Sequence, residues 1–166
     1  MTYRTHFIGL FMLMGTVLSA QDLGSPAGCD CPTVRLDDDF CASSAVFQGV
    51  ALRSDTMWSM EAPDRYDPNV GGRVSTVFHV ERMLKGPQVK EVTVLTGMRA
   101  DDCAFNFVTG QGYLVFARRE GKVLNTHQCT HTRALDTVSE SMLDSLSQVI
   151  AGKSWEGGVP VDRPCP

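Results

Sequence analysis

Four stretches of the chain pattern as β-strands before any residue chemistry is considered. In residues 45–52, Val46, Gln48 and Val50 interleave with Phe47, Gly49 and Ala51. Residues 74–84 place Val74, Thr76, Phe78, Val80 and Arg82 on one face and His79 on the other. Residues 89–95 alternate Val89, Glu91, Thr93 and Leu95 against Lys90, Val92 and Val94. Residues 113–117 are continuously apolar, as suits a buried strand, and 123–126 return as a hairpin partner after Glu120-Gly121-Lys122. Lys85-Gly86-Pro87 marks the turn between the second and third strands. Residues 55–72 hold Pro63, Pro68, Gly71 and Gly72 with little periodicity, predicting a long loop that carries Trp58 and Tyr66.

The period changes once, late in the chain. Val138, Met142, Leu146, Val149 and Ile150 recur at helical spacing behind Thr137-Val138-Ser139-Glu140, where a capping box would put Thr137 at the N-cap. Gly152 is the expected stop. The predicted fold is mainly β: an OB-like, five-stranded Greek-key barrel with one C-terminal helix and a short N-terminal turn or helix.

The first twenty residues change the compartment. Arg4 precedes an apolar run from Phe7 to Leu18, and Ser19 and Ala20 are small enough for signal cleavage. The run is shorter than the roughly 20 residues that span a bilayer. Residues 1–20 are therefore expected to be a signal peptide, 21–28 a short extension and 29–166 the domain. The mature protein is expected to be secreted or periplasmic, off the membrane and monomeric. Ala27-Gly28-Cys29 loosely resembles a lipid-attachment box but stands too far from the apolar run.

The whole chain has a formal charge of −4, and losing Arg4 leaves −5. An acidic surface argues against nucleic acid or anionic lipid as partner. No serine-hydrolase elbow, zincin motif or phosphate loop occurs, so an enzyme is not expected, and no cofactor is expected.

All six cysteines (Cys29, Cys31, Cys41, Cys103, Cys129 and Cys165) follow the signal, which reads as a disulfide framework. Spacing leaves the connectivity open, although one intervening residue makes Cys29 and Cys31 poor partners for each other.

The triplet Cys29-x-Cys31-x9-Cys41 stands just before the first strand, with three cysteines later. With it come the phrases Ala45-Val46-Phe47-Gln48-Gly49-Val50, Phe78-His79-Val80-Glu81-Arg82-Met83-Leu84-Lys85-Gly86 and Gly112-Tyr113-Leu114-Val115-Phe116-Ala117. This pattern resembles the netrin-like domain and, within it, the tissue inhibitors of metalloproteinases, across roughly residues 29–165. The resemblance implies the disulfides Cys29–Cys103, Cys31–Cys129 and Cys41–Cys165. It implies an inhibitory wedge of Cys29, Asp30, Cys31, Pro32 and Thr33 that acts on a zinc metalloprotease. There the α-amine and carbonyl oxygen of the first cysteine chelate the enzyme's zinc, and the next residue enters its specificity pocket. Chelation requires Cys29 to be the first residue, because a peptide nitrogen has no basic lone pair. The alternative is a non-inhibitory extracellular interaction module that uses the 55–72 loop or the barrel face.

The remaining polar groups are expected to be structural. His127 and His131 flank Cys129 in a metal-like His-x-Cys-x-His, but a disulfide-bonded Cys129 leaves only two ligands. Asp37-Asp38-Asp39 lacks the spacing of a calcium loop and is expected to be a solvated helix or turn start. His79 is expected to face solvent.

Overall fold

The structure, a computed structural model, describes residues 29–57, 72–98, 102–156, 159–162 and 165. It is mainly β, with two helices and three disulfides. In chain order come α1 (Leu36–Ala42), β1 (Ala45–Met57), β2 (Arg73–Lys85), β3 (Glu91–Gly97), β4 (Gly112–Glu120), β5 (Val123–Asn125) and β6 (Arg133–Ala134). A 3-10 turn (Leu135–Thr137), α2 (Glu140–Ile150), β7 (Lys153–Glu156) and β8 (Val159–Asp162) follow.

The six-stranded sheet runs β1-β2-β3-β5-β4-β6, and β1 also pairs with β4. Five strands thereby close a partial ring, with one parallel seam where Val94 and Leu95 of β3 meet Leu124 and Asn125 of β5. β1 makes the closure possible. Its first half, Val46 to Val50, is paired on both edges, to β4 and to β2, while its second half pairs with β2 alone. Register shifts at Val46/Phe47, Gln48/Gly49 and Ala51/Arg53 bend it from one partner toward the other.

β1 and β4 carry apolar residues on both faces because both faces are covered. Ala45, Phe47, Ala51, Phe78, Val92, Val94, Tyr113, Val115 and Ala117 fill the ring. Val46, Leu114 and Phe116 point outward and pack with Phe40 of α1 and with Leu146 and Val149 of α2. Such double burial turns strict alternation into the continuous run of 113–117. Within the ring, Phe78 meets Phe47, Phe107 and Tyr113 edge-to-face at 5.5, 4.8 and 6.2 Å. The Tyr113 hydroxyl accepts from the Val108 amide at 2.8 Å and donates to Gln111 at 3.0 Å, so this buried hydroxyl is satisfied.

Several boundaries depart from the sequence pattern. β1 runs on to Met57, so Asp55 and Thr56 pair with Ser75 and Val74 rather than opening a loop. The rest of that expected loop, with Trp58 and Tyr66, lies outside the described residues, as do residues 1–28, where a signal and an extension are expected. β3 begins at Glu91, because Val89 stays in the turn at 42% exposure. The cap of α2 is Ser139, whose hydroxyl accepts from the Met142 amide at 3.2 Å. Thr137 instead ends the 3-10 turn and donates to the Ala134 carbonyl at 2.8 Å. Ile150 ends the apolar stripe at 44% exposure, leaving Leu146 and Val149 as its buried members. The β7–β8 pair forms a separate two-stranded sheet that the pattern did not announce. No helix among the described residues is long and apolar enough to cross a membrane.

Gly49 marks a close approach of the β1 and β2 backbones. A Cβ built there would collide with the His79 carbonyl oxygen across the β1–β2 bulge. Gly49→Ala is therefore expected to lower stability by about 1–3 kcal/mol, as overpacking does, read from the urea midpoint. An unchanged midpoint would contradict this close approach.

Candidate functional site

The chain enters the domain through a segment with neither helix nor strand, residues 29–35. Asp30, Cys31, Pro32 and Thr33 are exposed and Cys29 is half-buried, so the segment stands as a ridge. Two disulfides hold it: Cys29–Cys103 with Cα atoms 5.3 Å apart and Cys31–Cys129 with Cα atoms 5.1 Å apart. The third, Cys41–Cys165, ties the end of α1 to the C-terminal residues. These are the pairs that the family resemblance implies.

Each of the two bridges that hold the ridge ends on a built post. Cys103 takes a left-handed backbone conformation (φ 56°) just after β3. Beside it the Asp102 carboxylate accepts from the Met98 amide at 3.1 Å and lies over Gly97, where a Cβ would strike it. The Phe105 amide donates to Thr96 Oγ1 at 2.7 Å. The other post is the turn between β5 and β6. There the hydroxyls of Thr126, Thr130 and Thr132 bond to one another within 3.1 Å, and Thr126 donates to the Phe116 carbonyl at 2.8 Å. The two posts are themselves joined, because the Gln128 amide donates to the Cys103 carbonyl at 2.9 Å.

A charged cluster locks α1 behind the ridge. Asp39 is fully buried and accepts from Arg118 of β4 at 2.9 Å, from the His131 amide at 2.7 Å and from His131 Nδ1 at 3.0 Å. Burial pushes its carboxyl up, but the hydrogen bonds from His131 and Arg118 outweigh burial and hold it below the ordinary carboxylate value. The expected solvated acidic run is thus only partly so. Asp38 is exposed, while Asp37 is buried against Arg35 at 2.8–3.0 Å and Asp39 is in the interior. Nothing local distinguishes Asp39 from its neighbours; its partners lie 79 and 92 residues away. At the far end of α1, Lys85 Nζ donates to the carbonyls of Phe40 and Cys41 at 2.7 and 2.9 Å.

The two histidines do structural work. His127 Nδ1 accepts the Cys129 amide at 3.2 Å, and burial, helped by the charge of Arg118, pulls its pKa down while Asp39 opposes. His131 spends Nδ1 on Asp39. The sulfurs of Cys29, Cys103 and Cys129 lie within 4.8 Å of one another, but all three are disulfide-bonded and offer no thiolate for a metal. His79 is exposed on β2. A groove of about 460 Å³ also runs between α1 and α2, floored by Leu36, Met142 and Val149, with Arg35 and Asp37 at its edge already paired to each other.

Against this geometry, comparison with protein-family models and with curated proteins finds no match for the chain.

Asp39 supplies a test of how the ridge is anchored. Its lowered folded pKa means its contribution is complete above the ordinary value of 3.8 and is lost as pH falls through the folded value. Asp39→Asn is expected to cost about 1–3 kcal/mol at pH 7, the scale of leaving buried partners unsatisfied. Its urea midpoint should also fall less steeply than that of the native chain below pH 3.8. Parallel pH profiles for the two proteins would contradict the assignment.

Proposed function

We propose that the chain is an exported inhibitor of zinc metalloproteases, built on a netrin-like OB barrel and acting through residues 29–33 once Cys29 is the first residue. The observation that carries this reading is the ridge. Its four residues after Cys29 are all exposed, while Cys29 and Cys31 are each bridged to a different post. A segment tied at two points loses little conformational entropy when it docks, which is where affinity is commonly lost. The strand order, with β1 shared by β2 and β4 and a parallel β3–β5 seam, supports the OB barrel.

The chemistry follows from the zinc. A catalytic zinc keeps an open position, and an unprotonated α-amine with the adjacent carbonyl oxygen of Cys29 fills it as a five-membered chelate, displacing the attacking water. Asp30 then enters the specificity pocket. Burying its carboxylate unpaired costs several kcal/mol, so the matching enzyme carries a cation or a polar lining there. The second reading keeps the scaffold without the clamp: an extracellular interaction module that uses the segment after Met57 or the barrel face. What favours it is that residues 21–28 precede Cys29 in the sequence.

The two readings separate on one added residue. The protein starting at Cys29 is expected to inhibit at least one member of a metalloprotease panel. The same protein retaining Gly28 should be weaker by about a hundredfold or more, roughly 3 kcal/mol. Asp30→Thr should widen the range of enzymes inhibited toward those with apolar pockets. Failure of the Cys29-initiated protein across the panel, or equal inhibition by both forms, would sink the clamp and leave the interaction module.

A further inference from the structure

The two bridges that hold the ridge lie against each other. Cys29 Sγ is 3.4 Å from Cys129 Sγ and 3.7 Å from Cys31 Sγ, so one sulfur of the first bridge is in contact with both sulfurs of the second. A thiolate opens a disulfide by attacking one sulfur and expelling the other. Any thiolate released in one bridge therefore has the other bridge beside it. The four sulfurs are unequally open to attack from outside, since Cys31 is exposed and Cys29, Cys103 and Cys129 are half-buried.

We propose that the ridge is a thiol-exchange site, at which a low-molecular-weight thiol adds to Cys31 and the Cys129 thiolate so released transfers Cys29 from Cys103 to itself. In the first step the incoming thiolate bonds to Cys31 Sγ, the Cys31–Cys129 bond breaks and its electron pair leaves on Cys129. In the second, the Cys129 thiolate attacks Cys29 Sγ across the 3.4 Å gap. The Cys29–Cys129 bond forms, Cys29–Cys103 breaks and the electron pair leaves on Cys103. Each step makes one sulfur–sulfur bond and breaks one, so no oxidant is consumed. The product carries the thiol on Cys31, a Cys29–Cys129 bridge and a Cys103 thiolate. Attack of that thiolate on the Cys31 adduct makes Cys31–Cys103 and returns the thiol, leaving the ridge on the same posts with its two attachments exchanged.

The fold accommodates the transfer because the posts are already one unit through the Gln128 amide and the Cys103 carbonyl. Losing one covalent tie does not release either post from the barrel, since the threonine hydroxyls and the Asp102 carboxylate hold each in place. What moves is the ridge, by the two-residue step between Cys29 and Cys31. The chemistry does not require the ridge to bind a protease, so it stands or falls separately from the inhibitor reading.

The test uses the full exported protein and reduced glutathione at concentrations below about 1 mM. Neighbouring groups see each other at higher effective concentrations than that. Near-UV circular dichroism confirms native packing throughout. Aliquots are quenched with N-ethylmaleimide, digested without reduction and mapped by mass spectrometry. Glutathione is expected on Cys31, with Cys29–Cys129 cross-linked peptide in about tenfold or greater excess over alkylated Cys129. Cys103 should be found alkylated or joined to Cys31. Glutathione on Cys31 with Cys129 alkylated and Cys29–Cys103 intact would overturn the transfer. Absence of any Cys31 adduct together with absence of Cys29–Cys129 and Cys31–Cys103 cross-links, while the protein remains folded, would overturn the site.

Discussion

Two cysteines separated by a single residue are bonded to two posts that come from opposite sides of the sheet's parallel seam, and the posts are hydrogen-bonded to each other. That double tether is the constraint on which the remaining geometry rests. One bridge alone would leave the ridge free to pivot. Two bridges two residues apart fix both its position and its direction while leaving Asp30, Pro32 and Thr33 in solvent. The loops closed span 74, 98 and 124 residues. Chain entropy assigns on the order of 4 kcal/mol to each as an upper figure, and the overlapping loops do not add.

The rest of the molecule is arranged to make the posts stiff. β4 carries this burden, since it faces the ring interior, the helix layer, β1, β5 and β6 within nine residues. The Thr126 hydroxyl docks the second post on the Phe116 carbonyl of β4, and Asp39 joins α1 to Arg118 and His131. Asp39 is fully buried, and each of its oxygens is matched: Oδ1 to Arg118 and Oδ2 to the two His131 donors. A buried carboxylate so matched positions groups more than it stabilises, and here it sets α1 directly behind the ridge.

Much of the sheet was legible because a half-buried strand leaves a period of two, and 45–52, 74–84 and 113–117 all lie within strands of the structure. The ends were not legible. β1 outruns its apolar pattern because β2 continues beside it, and Val89 reads as a strand residue although the turn claims it. Thr137 and Ser139 both offer a capping hydroxyl, and only packing of the preceding 3-10 turn decides between them. The cysteines mark where the ridge begins, but no local pattern separates Asp39 from Asp37 and Asp38, or tells that His131 will meet it. Contacts formed across 79 and 92 residues leave no period in the sequence. The sulfur contacts between bridges are of the same kind, because they depend on two posts brought together only by closure of the ring.

Everything in the inhibitor reading turns on the chemical state of one nitrogen, that of Cys29. The most direct measurement is the intact mass of the protein as its own cells produce it, under non-reducing conditions, which fixes its first residue. The account predicts a chain that starts at Cys29 with six cysteines in three bridges, its amine free to meet a zinc ion. A chain that starts at Gln21, or anywhere else ahead of Cys29, would contradict it and leave a stapled barrel that binds through another surface.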